Sequence, residues 1–159
     1  EDERKQVVHA VALAALKYAD LINHRSSDYS FDTERFTSFE GKTGPYLLYT
    51  AARIASIARK LPDTKKVAHS ISATERPLAL RLLGFADDVC QAYEQRAPHV
   101  LCESLYQLAA TYNQFYHQTN IVNEQDINQQ ETWLALSDLA HRQFVLGLNL
   151  LAIPSVERL

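Results

Sequence analysis

Glycine and proline are scarce in this chain, and this scarcity constrains the fold more than any other feature of the sequence. The 159 residues include four glycines and five prolines, whereas an average usage of about 12% for the pair would give about nineteen. Short strands need frequent glycine and proline turns, so the deficit argues against a turn-rich all-β fold. The few that are present fall mostly between segments with a helical periodicity of apolar residues. The sequence therefore predicts an all-α fold.

The hydrophobic periodicity predicts one domain over residues 1–159, a bundle of about five helices. The helices are predicted over residues 4–23, 44–61, 72–95, 98–117 and 129–151. Gly84 is expected to break or bend the third helix. The first helix is apolar on nearly all sides in its middle, which predicts that it is covered on more than one side. A helical turn is expected at residues 33–38, inside an aromatic-rich connection.

Capping signals precede three of the predicted helices. Thr43 is a predicted N-cap, and the proline two residues later fits the first helical turn. Ser72 and Glu75 have the spacing of a capping box. Asn128 lies three residues before a glutamate and is predicted to cap the last helix.

Composition excludes several classes of protein. Apolar residues make up 47% of the chain and charged residues 22%, which is too apolar for a disordered tail. No apolar run approaches the roughly 18 residues of a membrane span, so a cytoplasmic protein without a membrane partner is expected.

Cys90 and Cys102 have no CxxC spacing and are expected to be reduced, buried thiols. The sequence lacks methionine, so we expect it to be a piece of a longer protein.

Enzyme motifs are absent from the sequence. It contains no HExxH, GxSxG, P-loop or GxGxxG pattern. None of the six histidines has another histidine four residues away, the spacing with which a helix presents two metal ligands. We therefore expect no catalytic residue, metal or cofactor in this chain itself.

Basic residues concentrate in one predicted helix. Residues 41–62 hold four basic residues and no acid, so the remaining 137 residues, with twelve basic and nineteen acidic, carry a net charge of −7. On a helical wheel, one face of this helix collects two tyrosines and two cations, Tyr46, Tyr49, Arg53 and Lys60. Tyrosines suit stacking on unpaired bases, and a guanidinium suits a phosphate or a base edge. The same pattern also fits tyrosines packed on a neighbouring helix, with the arginine paired to a carboxylate.

A second aromatic group ends the fourth predicted helix. Tyr116 lies at the edge of its apolar stripe, so the ring can face solvent. Asn113 and Asn120 add amides that can read a base edge. Gly41 and Gly44 allow a tight backbone at the start of the basic helix, whose N–H groups suit a phosphate. Packing within the bundle is the simpler explanation of each of these features.

Five blocks of sequence resemble the C-terminal, DALR-type anticodon-binding domain of arginyl-tRNA synthetases, which are class I aminoacyl-tRNA synthetases. In order along the chain they are ALKYADL at 15–21, SDYSFD at 27–32, SFEGKTGPYLLYTAARI at 38–54, YQLAATYNQFY at 106–116 and GLNLLAIPSVERL at 147–159. The third block is highly specific. The chain departs from the family pattern at four positions, Thr33, Lys42, Ala152 and Leu159, where the family has an aromatic residue, Asn, Gly and Met.

The resemblance implies roles for particular residues. Tyr46 and Tyr49 would stack on or pack near anticodon-loop nucleotides, and Arg53 would bind the backbone or a base. Tyr116 and Asn120 would lie on the facing helix. Leu159 would close the apolar side of the site.

The resemblance also implies a function and partners. The chain would bind the anticodon stem-loop of tRNA(Arg) as a monomer, with its own catalytic domain in cis. ATP with magnesium and arginine would be used by the full-length enzyme and not by this part. Two alternatives are an anticodon domain of the cysteinyl or methionyl type and a helical interaction or oligomerisation module that binds no RNA, in which the exposed aromatic residues would contact a protein.

Overall fold

A computed structural model of the chain describes residues 2–156, and within them it contains six α-helices, one 3-10 turn and no strand. The helices are α1 (Asp2–Leu21), α2 (Thr33–Thr37), α3 (Gly44–Lys60), α4 (Arg76–Glu94), α5 (Pro98–Gln118) and α6 (Ile127–Leu150), and the 3-10 turn spans Ile121–Asn123. The all-α prediction is confirmed. The five predicted helices correspond to α1 and α3–α6, and the expected turn in the aromatic connection is α2.

Helix α3 lies at the centre of the bundle. It packs against α1, α2, α5 and α6, while α4 packs mainly on α5. The face of α3 that carries Leu47, Ala51 and Ile54 is fully buried, as the apolar spacing predicts. Tyr18 of α1 donates a hydrogen bond to the carbonyl of Cys102 in α5, at 3.1 Å. Burial of the apolar face fixes the rotation of α3, so its opposite face, with Tyr46, Tyr49 and Arg53, lies between α5 and solvent.

Gly84 does not break the third predicted helix. Helix α4 runs through it without interruption, and a Cβ at Gly84 would meet no atom within 4 Å. A glycine in a helix interior costs about 1 kcal/mol relative to alanine. Because α4 packs along its length on α5, that cost is too small to interrupt the helix.

Helix α1 contacts α2, α3 and α5, while Val8 and Leu16 on its remaining side expose 61% and 56% of their surface. The expectation that both cysteines are buried is wrong for one of them. Cys102 is buried, but Cys90 is exposed, because it lies on the outer side of α4. No helix in residues 2–156 is long and apolar enough to cross a membrane.

The predicted cap of α3 is confirmed, whereas that of α6 is wrong. The Thr43 hydroxyl accepts a hydrogen bond from the Tyr46 N–H at 3.2 Å. Helix α6 is capped by Asp126, whose carboxylate accepts from the N–H groups of Asn128 and Gln129 at 2.9 and 3.3 Å. Aspartate is as good an N-cap as asparagine, and its position lets α6 begin two residues earlier than predicted.

A strained residue follows the end of α6. Ala152 has a φ of +54°, and the next residue, Ile153, donates its N–H to the Leu148 carbonyl at 2.8 Å. This is the geometry of a Schellman C-cap, in which the left-handed residue is usually glycine. Alanine therefore stands where the backbone favours glycine, which is the residue that the family pattern has at this position.

Replacing Ala152 with glycine is expected to stabilise the protein. A left-handed conformation costs a non-glycine residue about 1–2 kcal/mol, and glycine removes this cost. Glycine also loses more backbone entropy on folding, which offsets about 0.5–1 kcal/mol of the gain. The free energy of unfolding measured in urea should rise by about 0.5–1 kcal/mol. The control is Ala86→Gly on the exposed side of α4, which should lower it by about 1 kcal/mol. A loss of stability in both variants would contradict the prediction.

Candidate functional site

Two helices bring the predicted site residues together. Tyr46, Tyr49 and Arg53 lie on α3, and Asn113 and Tyr116 lie on α5. Tyr49 exposes 42% of its surface, whereas the other four are half-buried. The clustering predicted from the helical wheel therefore extends across the contact between α3 and α5.

The guanidinium of Arg53 is held by two tyrosines and an amide. Its Cζ lies 4.7 Å from the ring centroid of Tyr49 and 5.1 Å from that of Tyr116. Its Nη2 donates to the Tyr49 hydroxyl at 3.0 Å, and its Nη1 donates to the Asn113 side-chain carbonyl at 2.6 Å. None of these three partners is a carboxylate, so the positive charge of Arg53 is oriented without being neutralised by them.

Asn113 links α5 to α3 through both ends of its amide. Its carbonyl accepts from Arg53, while its NH₂ donates to the Tyr46 hydroxyl at 2.9 Å and to the Thr50 hydroxyl at 3.2 Å. The ring of Tyr46 also packs against Tyr106, with centroids 6.0 Å apart. Asn113 thus joins Tyr46 and Thr50 to Arg53 and orients the Arg53 guanidinium.

A groove of about 340 Å³ lies beside this cluster. Tyr49, Arg53 and Tyr116 line one part of it, and Ala52 and Ile57 provide apolar surface. The rest of the lining comes from the C-terminal half of α3, namely Ser56, Arg59 and Lys60. The groove therefore combines aromatic rings with basic groups, the two features that single-stranded nucleic acid requires.

Asn120 is not brought to the groove. Asn120 caps the 3-10 turn, and its side-chain carbonyl accepts from Asn123 at 3.1 Å. It does not line the groove formed by the described residues. Leu159 lies outside the described residues. The roles of all these residues in binding stay predictions.

Two ionisable groups near the site, the Tyr112 phenol and the Lys42 amine, leave no unbalanced charge of their own beside Arg53. Burial raises the pKa of Tyr112, which lies on α5 next to Asn113, to about 12, so its phenol is neutral at physiological pH. Lys42 forms an ion pair with Glu103 at 2.7 Å. Burial raises the pKa of Glu103, but hydrogen bonds from Lys42 and Gln107 outweigh it and the net pKa is lowered. The charge of Lys42 is therefore balanced by a carboxylate, whereas the three partners named above for Arg53 carry no charge.

One residue beside the site was missed from the sequence. The ring of Phe39 meets that of Tyr49 edge-on, with centroids 6.3 Å apart. The signal was present, because Phe39 lies in the most specific block of the resemblance. A helical wheel gives Phe39 no position, because the residue precedes α3.

A model of the DALR anticodon binding domain family matches residues 47–159, about seven-tenths of the chain. The chain belongs to the DALR anticodon-binding domain family. The matched part of this DALR domain includes Tyr49, Arg53, Asn113 and Tyr116, so most of the cluster lies within the family match.

Individual relatives of the DALR domain agree with this assignment. The arginine–tRNA ligase of Hyphomonas neptunium is 46% identical over 160 residues, which cover 99% of this chain and 27% of that protein. The solved arginyl-tRNA synthetase of Thermus thermophilus matches with a TM-score of 0.89 and 34% identity, over 94% of this chain and 27% of that one. The enzyme from Plasmodium falciparum matches with a TM-score of 0.83 and 28% identity, over 97% and 28%. The DALR domain thus spans just over a quarter of the length of these relatives.

Proposed function

We propose that this DALR domain binds the anticodon stem-loop of tRNA(Arg) as the anticodon-binding domain of an arginyl-tRNA synthetase. Its family and the names of its relatives support this function. The observation that carries it is the groove in which Tyr49, Arg53 and Tyr116 meet basic residues of α3. Anticodon-loop bases are unpaired, and such bases are recognised by stacking on aromatic rings and on guanidinium planes.

The geometry divides this task among the residues. Tyr49 offers a half-exposed ring, and Arg53 offers a guanidinium that Asn113 and the two tyrosines hold in place. Pre-organised side chains lose little entropy when they bind. Lys60 at the end of the groove suits the phosphates of the loop, and it adds affinity without selecting a base.

The proposal extends to the enzyme of which the domain would form part. Arginine–tRNA ligase activity, with ATP, magnesium and arginine, would belong to a catalytic domain in the same chain, in a monomeric cytoplasmic enzyme. Within residues 2–156 no group of acidic, histidine or cysteine side chains is arranged to hold a metal ion. The task of this domain would be to hold the anticodon while the acceptor end reaches that catalytic domain.

Binding of an isolated RNA hairpin tests the proposal. We expect the chain to bind a tRNA(Arg) anticodon stem-loop in a fluorescence titration, and Tyr49→Ala to weaken binding by about tenfold or more, since a stacked base contributes about 1–3 kcal/mol. Tyr93→Ala is the matched control, because Tyr93 is 83% exposed on α4 and does not line the groove. Affinity should also fall as salt rises, because lysine and arginine side chains that bind phosphates release counterions from the RNA.

Two results would contradict the proposal. Equal losses of affinity in Tyr49→Ala and Tyr93→Ala would show that the groove is not part of the binding site. No binding by the wild-type chain at low salt would favour the alternative of a protein-interaction module.

A further inference from the structure

Phe39 is an exposed aromatic residue that the proposed function leaves unused. It lies in the segment between α2 and α3 and exposes 48% of its surface. Its ring meets the exposed ring of Tyr49 at an interplanar angle of 79°. It does not line the groove beside Arg53. It is therefore a separate aromatic surface that adjoins the proposed site.

The segment that carries Phe39 is held by its own hydrogen bonds. The Thr43 hydroxyl donates to the Ser38 carbonyl at 2.6 Å, and the Glu40 N–H donates to the Ser38 hydroxyl at 3.1 Å. The position of Phe39 is thus set by the backbone turn and does not depend on burying its ring. Keeping half of an apolar ring in water forgoes part of the hydrophobic stabilisation, and a bound partner that covers it would recover that part.

Phe39 continues a row of stacking groups. From Phe39 the row passes to Tyr49 at 6.3 Å between centroids, then to the Arg53 guanidinium at 4.7 Å and on to the Tyr116 ring at 5.1 Å. Each member has a π-face or a planar cation, and such groups stack on nucleobases. The row is longer than the groove, because Phe39 adds a position on the side of α2.

We propose that Phe39 is a second stacking position, which binds an unpaired nucleobase next to the nucleotide held in the groove. This inference rests on the proposed function and deepens it. Phenylalanine has no hydrogen-bonding group, so this position takes a base by its face. The Phe39 position therefore discriminates among bases only by how strongly they stack, whereas Arg53 can also form hydrogen bonds with a base.

Three variants separate stacking from mere packing against Tyr49. Phe39→Leu keeps an apolar contact and removes the π-face, and Phe39→Tyr keeps the ring. Phe31→Leu is the control, because Phe31 is 45% exposed in the same region and its ring stacks on Phe36. For the tRNA(Arg) anticodon stem-loop we expect a loss of about five- to tenfold for Phe39→Leu, and affinities within about twofold of wild type for the other two.

Abasic substitutions in the loop make the assignment specific to one nucleotide. Removing each loop base in turn should weaken binding by the wild-type chain at the position that stacks on Phe39. The same removal should have no further effect in Phe39→Leu, since the interaction is already lost. The inference would be overturned if, at every loop position, removing the base weakened binding by Phe39→Leu as much as it weakens binding by the wild type. Equal losses of affinity in Phe39→Leu and Phe39→Tyr would also overturn it.

The outcomes also separate this inference from the proposed function. If the wild-type chain binds the stem-loop and Tyr49→Ala weakens it while Phe39→Leu does not, only the inference about Phe39 is wrong. If the wild-type chain binds no stem-loop, the proposed function fails and this inference fails with it.

Discussion

Replacing Gly44 with alanine is expected to disrupt the packing of α1 on α3. A Cβ at Gly44 would lie 2.1 Å from the carbonyl oxygen of Ala14 and 2.4 Å from its carbonyl carbon. Both atoms belong to the backbone of α1, so no side-chain rotation can relieve the clash. We expect the free energy of unfolding in urea to fall by about 3 kcal/mol or more, a large fraction of the 5–15 kcal/mol typical of a domain.

The matched control is the same substitution at Gly84. A Cβ there would meet no atom within 4 Å, and the residue lies inside α4, so alanine should raise the free energy of unfolding by about 0.5–1 kcal/mol. Circular dichroism distinguishes a folded Gly44→Ala variant with a lower urea midpoint from one that does not fold, and either agrees with the prediction. A wild-type midpoint for Gly44→Ala would show that α1 does not approach α3 so closely.

Gly44 also shows where the sequence could not predict the structure. The sequence places two glycines at the start of α3, where their N–H groups suit a phosphate. In the structure Gly44 is buried against α1, so its small size is explained by packing. The choice between these two roles depends on a residue 30 positions earlier, Ala14, and no local pattern links the two.

The fold as a whole could be predicted because it depends mostly on local periodicity. Helices α1 and α3–α6 each have an apolar stripe, and prolines or capping residues mark most of their starts. The error at Gly84 arose because glycine weakens a helix only by an amount that tertiary contacts readily offset. The cap of α6 was misplaced because Asp126 and Asn128 are both good N-cap residues, and the sequence does not decide between them.

The candidate site could be predicted only in part. Spacing along one helix is enough to place Tyr46, Tyr49 and Arg53 on one face. Two of the side chains that orient Arg53, Asn113 and Tyr116, come from α5. Asn113 lies 60 positions away along the chain, and helical periodicity gives no register between two helices. That register makes Asn113 a support for the site, whereas the sequence alone does not decide whether its amide reads a base edge or packs within the bundle.

A buried carboxylate provides the second large expected effect. Glu75, just before α4, is 1% exposed. Its side chain accepts hydrogen bonds from the Trp133 indole N–H at 2.7 Å, from the Gln129 amide at 2.9 Å and from the Ser72 N–H at 2.7 Å. The last of these is half of the predicted capping box. Glu75 therefore joins the start of α4 to α6, although its side chain makes no capping hydrogen bond to α4 itself.

Replacing Glu75 with glutamine is expected to lower the free energy of unfolding by about 3 kcal/mol at neutral pH. The new amide has a single acceptor oxygen, and its NH₂ must face groups that themselves donate. At least one of the three donors then loses its acceptor, and hydrogen bonds to a charged acceptor are among the stronger ones. Glu103→Gln is the control, because Glu103 is 41% exposed at its side chain and its loss should cost at most about 1 kcal/mol.

The pH dependence of this difference identifies the ionised carboxylate as its source. Burial raises the pKa of Glu75, but the hydrogen bonds from Ser72 and Trp133 outweigh it, and the net pKa is lowered. A group whose pKa is lowered by folding stabilises the protein above its unfolded pKa, about 4.3 for glutamate, and loses that stabilisation as the pH falls through the folded value. The gap in unfolding free energy between wild type and Glu75→Gln should therefore be constant above about pH 6 and shrink below about pH 4. A gap that stayed constant to low pH would mean that the hydrogen bonds of Glu75 do not depend on its charge, and that shape alone sets the cost of the substitution.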